Sequence, residues 1–483
     1  MASGDRPWWQ RTLLYQIYVR SFADSDRDGV GDLRGITQRL DYLEWLGVDA
    51  VWLSPITVSP DRDWGYDVAD YTDVQPVFGG IEAFDELVDA AAARDMRVIT
   101  DIVPNHTSDR HPWFEESRSS RDSPRRDWYV WADPKPDGSP PNNWRSTFGG
   151  GSAWMLDERT GQYYLHNFLP EQPDLNWWND EVRAAFDDIL RFWLARGVAG
   201  FRIDVAHGIV KDRELRNNPD PAVSTYNANR DDVHDVLRRW RRVVNEYEPA
   251  RVLLGETWVM DIARLMRFYG SGEDELHLAF NFPFTFSALE ADALRGVVEA
   301  TEAGLPERAW PVWMLSNHDI ARFPTRMADG DERKARAALF VLLALRGTPV
   351  LYYGDELGMP QARVPHEQQR DMDGRDGART PLPWNGEWTN PWLPATAQVE
   401  PVAVQRADND SFLHYARRLI AQRRASIDLL EGEYETLPAP DGAWAFRRGQ
   451  STGVAVNLSD EPVEVELGER LRLAPWEGLV QRM

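Results

Sequence analysis

Short apolar runs recur along the chain. Between them lie longer stretches in which apolar positions return every three or four residues. The short runs are "YQIYV" (15–19), "AVWLS" (50–54), "RVITDIV" (97–103), "GFRIDV" (200–205), "RVLLGE" (251–256), "LAFNF" (278–282), "VWMLSN" (312–317) and "PVLYYG" (349–354). Their length and β-branched or aromatic content predict strands. The stretches between them predict helices, among them "ITQRLDYLEWLG" closed by Gly47, "IEAFDELVDAAAARD", "DEVRAAFDDILRFWLARG" and "DERKARAALFVLLALRG". The strands lack clean apolar–polar alternation, which predicts a sheet buried on both faces. Eight such strands, each followed by a helix, specify an α/β fold of the (β/α)₈ TIM-barrel type.

Two segments break the rhythm. Residues 104–178, rich in Pro, Gly, Trp and Asp, are too long for a simple loop and predict a small inserted domain after the third strand. Residues 355–400 are an irregular, Pro-rich excursion after the eighth. The short alternating patterns of 424–483 predict a C-terminal antiparallel β domain. The barrel then comprises 1–103 and 179–423, and no fixed-period repeat is present.

Composition narrows the function. The chain has 483 residues and a net charge of −24, which argues against nucleic acid and anionic membranes as partners. It has no Cys, which excludes disulfides, thiolate catalysis and zinc–sulfur sites. The start "MASGDRPWWQ" shows no apolar signal core, and the longest apolar run, "AALFVLLAL", is too short to span a bilayer. The expectation is a soluble, cytoplasmic protein. The 22 Trp and 15 Tyr supply faces on which sugar rings stack, although many must serve the core.

The polar residues that end the strands carry the candidate chemistry. The third strand gives Asp101, Asn105 and His106, the fourth Arg202 and Asp204, the fifth Glu256, the seventh His318 and Asp319. Arg202 and Asp204 are two apart and share one face of a strand. A guanidinium beside Asp204 favours an ionised nucleophile. Glu256, near two other carboxylates, is set to be a protonated general acid. A carboxyl pair of this kind is the layout of a retaining glycosidase.

These residues lie in "DIVPNHTS", "GFRIDVAH", "GETW" and "SNHD", which resemble the four conserved regions of the alpha-amylase superfamily, glycoside hydrolase family 13, in the family's order. "QPDLNW", "GYDVADY" and "ARTPLPW" resemble its oligo-1,6-glucosidase and alpha-glucosidase group. The resemblance covers nearly the whole chain. It implies Asp204 as nucleophile, Glu256 as general acid/base and Asp319 as the carboxylate that stabilises the transition state. It implies that His106, Arg202 and His318 hold the same glucosyl ring, that Asp67 binds its far hydroxyls, that Tyr66 and Phe168 stack on it, and that Arg379 helps close the pocket. Val205, after the nucleophile, stands at the pocket mouth beside the bond being cut. There the group's Val goes with alpha-1,6 cleavage. The following "AHG" departs from the group's pattern, and His207 is a candidate donor to an acceptor-side hydroxyl.

The loop "DSDRDGVGD" (24–32) looks at first like an EF-hand, but its twelfth position is Gly35 where that motif needs Glu, and "YQIYVRSF" before it reads as a strand. The resemblance implies instead a structural Ca²⁺ held by Asp24, Asp26, Asp28, the Val30 carbonyl and Asp32, all hard oxygens. The expected function is a retaining, exo-acting alpha-glucosidase on short alpha-glucosides. The alternatives are a transglucosidase or disaccharide isomerase of the same family, a catalytically dead transporter subunit, and a calcium-regulated binding protein.

Overall fold

The computed structural model describes residues 6–386, 388–395 and 398–483. All eight predicted strands are present: β1 (Leu14–Ile17), β2 (Ala50–Leu53), β3 (Arg97–Ile102), β4 (Gly200–Ile203), β5 (Val252–Gly255), β6 (Leu278–Ala279), β7 (Val312–Met314) and β8 (Thr348–Tyr352). Every pairing among them is parallel, and the ladder runs β6-β5-β4-β3-β2-β1-β8-β7, so that β8 returns beside β1. That is the strand order of a barrel.

Both faces of the sheet are apolar, for the reason the missing alternation implied. Leu14, Ala50, Trp52, Ile99, Val252, Leu254, Val312, Met314 and Val350 form one cluster inside the barrel. Their strand neighbours Tyr15, Val51, Val98, Phe201, Leu253, Trp313 and Leu351 pack outward into the cluster shared with the helices. Asp101 and Arg202 stand opposite each other in the β3–β4 register, where an apolar pair would otherwise fill the upper barrel.

The helices follow the sequence periodicity. The helix Leu40–Leu46 ends where Gly47 turns left-handed at φ +97° and returns its N–H to the Leu43 and Glu44 carbonyls. The helix Asp180–Ala195 is capped by Asn179, whose side chain accepts the Glu181 N–H. The sequence reading runs two strands too long: "YQIYVRSF" is a strand only to Ile17, with Val19–Phe22 a helical turn, and "LAFNF" only to Ala279, with Phe282 opening a short helix.

The insertion after β3 carries a three-stranded antiparallel sheet of Trp131–Ala132, Gln162–Leu165 and Trp154–Asp157. The segment that follows β4 is sewn to it: the Trp144 indole donates to the Arg216 carbonyl at 2.8 Å and Asn142 to that of Leu215 at 3.0 Å. At the C-terminus, the strands Tyr434–Leu437, Ala443–Arg448, Thr452–Asn457 and Gly478–Arg482 form an antiparallel sheet, with a separate hairpin of Val463–Glu466 and Arg470–Leu473. Its first strand begins at Tyr434; the stretch from 424, expected to open the β domain, finishes one helix and forms another. No helix among the described residues is long and apolar enough to cross a membrane.

Candidate active site

The C-terminal ends of the strands and the loops beyond them enclose a cavity of about 560 Å³. Asp204 and Glu256, each one residue past its strand, reach into it with Asp319 from the β7 loop. Their neighbours in the wall include Tyr66, His106, Phe168, Val205 and His207, all expected from the sequence.

One guanidinium organises the floor. Arg202 is fully buried; its Nη1 donates to Asp101 at 2.7 Å and to Asp204 at 2.8 Å, and its Nη2 lies 2.8 Å from Glu256 Oε2. Its planar face covers the rings of Trp52 and Tyr66. A single charge is thus shared by three carboxyls. Burial accordingly prevails over Arg202 at Asp204 and holds its carboxyl well above the usual range. The sequence reading, which paired Arg202 with Asp204 alone, expected the opposite direction. Burial likewise pushes Asp101 up to about 6, against the pull of Arg202.

Asp319 has the contrary environment. Burial by itself favours its protonated form, but His318, Arg375 and Arg379 outweigh it and hold the carboxyl well below the usual range. Burial keeps His318 neutral, so the two arginines, each 3.0 Å away, supply the charge. His318 accepts from Gln16 at Nδ1, places Nε2 3.1 Å from Asp319 and stacks on Tyr66 with the rings 3° from parallel. It supports the wall from behind, and so does Arg379, which donates to the His318 carbonyl at 2.9 Å and is fully buried. His106, also neutral through burial, donates from Nε2 to the Tyr66 carbonyl at 3.1 Å.

Arg202, His318 and Arg379, expected at the ring or the pocket wall, stand behind the lining, and one further expected contact is displaced altogether. Asp67 is outside the cavity: its carboxylate accepts the Ser59 hydroxyl and the Asp63 and Arg62 N–H groups at 2.8, 2.9 and 3.0 Å, so it is spent on shaping its own loop. Asp63, four residues earlier, lines the cavity instead. There it meets Arg375 at 2.6 Å, which also holds Asp319 and Asp371. Asp67 and Arg379 form no pair with each other. The sequence reading missed Asp63 and Arg375, and with them Phe148, over which Arg375 lies, and Trp258. A usable signal existed in "GRDGART": Arg375 precedes Arg379 by about one helical turn, and the two reach the same carboxylates.

At the mouth, Nδ1 of the cavity-lining His207 lies 3.3 Å from the Trp258 backbone nitrogen and 3.4 Å from the Glu256 carbonyl oxygen. Burial lowers the His207 pKa and keeps the ring neutral. Trp258 is 40% exposed and rests on Phe282 with centroids 4.3 Å apart.

Chain comparisons agree with this geometry. The family model described as alpha amylase, catalytic domain, matches residues 16–432. The chain belongs to the alpha-amylase family. This alpha-amylase family enzyme is a glycoside hydrolase, and it is 43% identical to a probable alpha-glucosidase of Rhizobium meliloti (strain 1021), with 99% of this chain and 94% of that one covered. It is 36% identical to an oligo-1,6-glucosidase of Heyndrickxia coagulans, covering 95% and 93%. Among solved structures, it superposes on an alpha-glucosyl transfer enzyme, XgtA, with a TM-score of 0.93 at 38% identity, covering 98% and 99%.

The acidic loop that precedes the barrel's second strand fits a hard cation in part. Asp24, Asp26 and Asp28 each bring a carboxylate oxygen within 4.8 Å of the others. Burial and the neighbouring carboxylates raise the Asp28 pKa, a repulsion that a cation would relieve. Asp32 fits less well than expected. It caps the helix Leu33–Gln38 through the Gly35 N–H and also accepts both the N–H and the hydroxyl of Ser25, which leaves one lone pair of four.

Proposed function

We propose that this enzyme is a retaining, exo-acting alpha-glucosidase that removes terminal glucose from short alpha-glucosides. The observation that carries the reading is the shared guanidinium. Two carboxyls sit on the two terminal nitrogens of Arg202, at 2.8 Å each, which brings them together as a pair in which one attacks the anomeric carbon while the other protonates the leaving oxygen; retaining enzymes space such a pair about 5 Å apart. Asp204 Oδ2, which Arg202 does not engage, forms the glucosyl ester as Glu256 gives its proton to the departing oxygen. Glu256 then takes a proton from water, the water oxygen bonds to the anomeric carbon, and the Asp204 carboxylate leaves. Asp319, held anionic by two arginines, faces the positive charge that develops on the ring. The Asp63–Arg375–Asp319 ion cluster walls the cavity beside it, which supports binding of a chain end rather than a chain interior.

Asp24, Asp26, Asp28 and the Val30 carbonyl would hold Ca²⁺, with Asp32 adding its one free lone pair and otherwise bracing the loop. The ion would supply charge neutralisation and loop rigidity, remote from the reacting atoms. On the acceptor side, a Val205 wall beside an imidazole donor at His207 favours broad linkage tolerance, with maltose-type bonds cut at least as well as alpha-1,6 bonds. Transfer to a sugar acceptor is the second reading, favoured by the exposed Trp258 face at the mouth, on which an acceptor ring could displace water.

The test is a slow-turnover fluoroglucosyl fluoride followed by peptide mass spectrometry. A single adduct on Asp204 is expected, and its absence, or an adduct elsewhere, overturns the mechanism. A panel of maltose, isomaltose, sucrose and trehalose then reads linkage. Strict action on isomaltose alone would remove the breadth.

A further inference from the structure

Val205 sits at φ +46°, in the left-handed region that a β-branched residue rarely enters. The ladder around it shows what this backbone accomplishes. Asp204 still donates its N–H to the Ile102 carbonyl on β3, and Glu256 donates its own to the Ile203 carbonyl on β4, at 2.9 Å each. In a regular parallel ladder, a residue that donates to one carbonyl accepts, on its own carbonyl, the N–H found two residues farther along the neighbouring strand. Val205 should therefore donate to the Glu256 carbonyl. It donates instead to the Glu256 side chain, at Oε2, at 2.9 Å. The left-handed turn diverts one ladder bond from backbone to carboxylate. The freed Glu256 carbonyl faces the His207 ring at 3.4 Å.

Oε2 accepts the Val205 amide and lies 2.8 Å from the cationic Arg202 Nη2. A carbonyl oxygen accepts more strongly than a hydroxyl oxygen, and a nearby guanidinium disfavours a proton, so both neighbours favour the carbonyl form at Oε2. The proton belongs on Oε1. The peptide group that holds Oε2 is also the one that follows the nucleophile, so a single amide fixes the separation of the two carboxyls.

We propose that Val205 is a positioning residue, whose strained backbone amide clamps Glu256 Oε2 and leaves Oε1 as the single oxygen that exchanges the catalytic proton. This rests on the reading of Glu256 as general acid/base. It assigns Val205 a backbone role that its side chain, as a wall of the acceptor site, does not require.

Two measurements test it. Replacing the Val205 amide by an ester, with the α-hydroxy analogue of valine introduced by nonsense suppression, removes the N–H while keeping the Val205 side chain. The expected loss in kcat/KM is at least about tenfold for maltose and under about threefold for a dinitrophenyl glucoside, whose leaving group departs without a proton. Equal losses for both substrates, or none, overturn the clamp. Glu256→Gln run in parallel separates the two readings. If Glu256→Gln shows no leaving-group dependence, the acid assignment fails; if it does and the ester does not, only the clamp fails. The second measurement needs no altered backbone. Residue-resolved amide exchange should find the Val205 N–H protected in the wild-type protein and exposed in Glu256→Ala, with the Asp204 and Glu256-position amides unchanged. Protection that survives Glu256→Ala means that the N–H is held by backbone, and the proposal is wrong.

Discussion

The carboxylate proposed to attack is buried, against its own solvation. Burial holds Asp204 above the usual carboxylate range in the free enzyme, and only the ionised form is nucleophilic. The acid limb of kcat/KM for a good-leaving-group glucoside should therefore lie well above the pH of ~4 at which a solvated Asp titrates. A limb at or below that value would mean that Arg202 outweighs burial. Arg375 is the other residue with a large expected effect. It touches Asp63, Asp319 and Asp371, so Arg375→Ala strips a buried guanidinium from three carboxylates. A loss in kcat/KM of about 100-fold or more is expected from breaking such a pair. Asp67→Asn should disturb folding of its loop more than substrate affinity, read as a fall in Tm with a nearly constant KM. At this scale the sequence made legible every residue whose position follows from a strand end: Asp204, Glu256, Asp319, His106. It did not distinguish Asp63 from Asp67. Both stand in one irregular loop, and which of two nearby carboxylates turns inward depends on which backbone N–H groups the other must satisfy.

Elements formed by periodicity were the most readable, because burial on two faces leaves a strand little choice of residues. The loops were not. The segment after β4 gave no periodic signal, and its partner in the inserted domain lies over 70 residues away in sequence. The acidic loop is held by contacts that only the folded chain creates. Gly29, at φ +97°, packs so closely that an added Cβ would come within 2.3 Å of the Asn390 carbonyl oxygen, and its own carbonyl accepts the Trp392 N–H at 2.8 Å. A cation bound here stabilises only the folded state. Chelation, or Asp26→Ala, should lower Tm by roughly 3–5 °C while turnover well below Tm changes little. Arrested catalysis in a protein that stays folded would assign the metal a chemical role.

For the molecule as a whole, stability carries a signature in pH. Asp355, fully buried beyond β8, accepts the Tyr352 N–H at 3.0 Å, and burial pushes its carboxyl up to about 7 against the pull of Arg322. Its ordinary value is 3.8. As pH rises from 4 to 7, the unfolded chain gives up this proton first and the folded chain keeps it, so the group favours folding below that window and loses the advantage through it. The stability of wild type relative to Asp355→Asn should therefore fall by roughly 2–4 kcal/mol between those limits in urea titrations. A flat difference would show that the folded carboxyl titrates normally. The barrel and its two β additions were legible as an arrangement because each rests on element order. Which segments close the cavity was legible too, since the insertion and the excursion after the eighth strand both line it; which of their side chains do so was not, because irregular loops carry no periodic signal.

The bond from Arg375 to Asp63 spans 312 residues. During synthesis, Asp204, Glu256 and Asp319 are made before that arginine, and so is every strand of the barrel. A nascent chain at that stage holds the carboxyls and lacks the ion cluster that walls the cavity beside them. Activity should therefore arise late and abruptly, when the loop that carries Arg375 is in place.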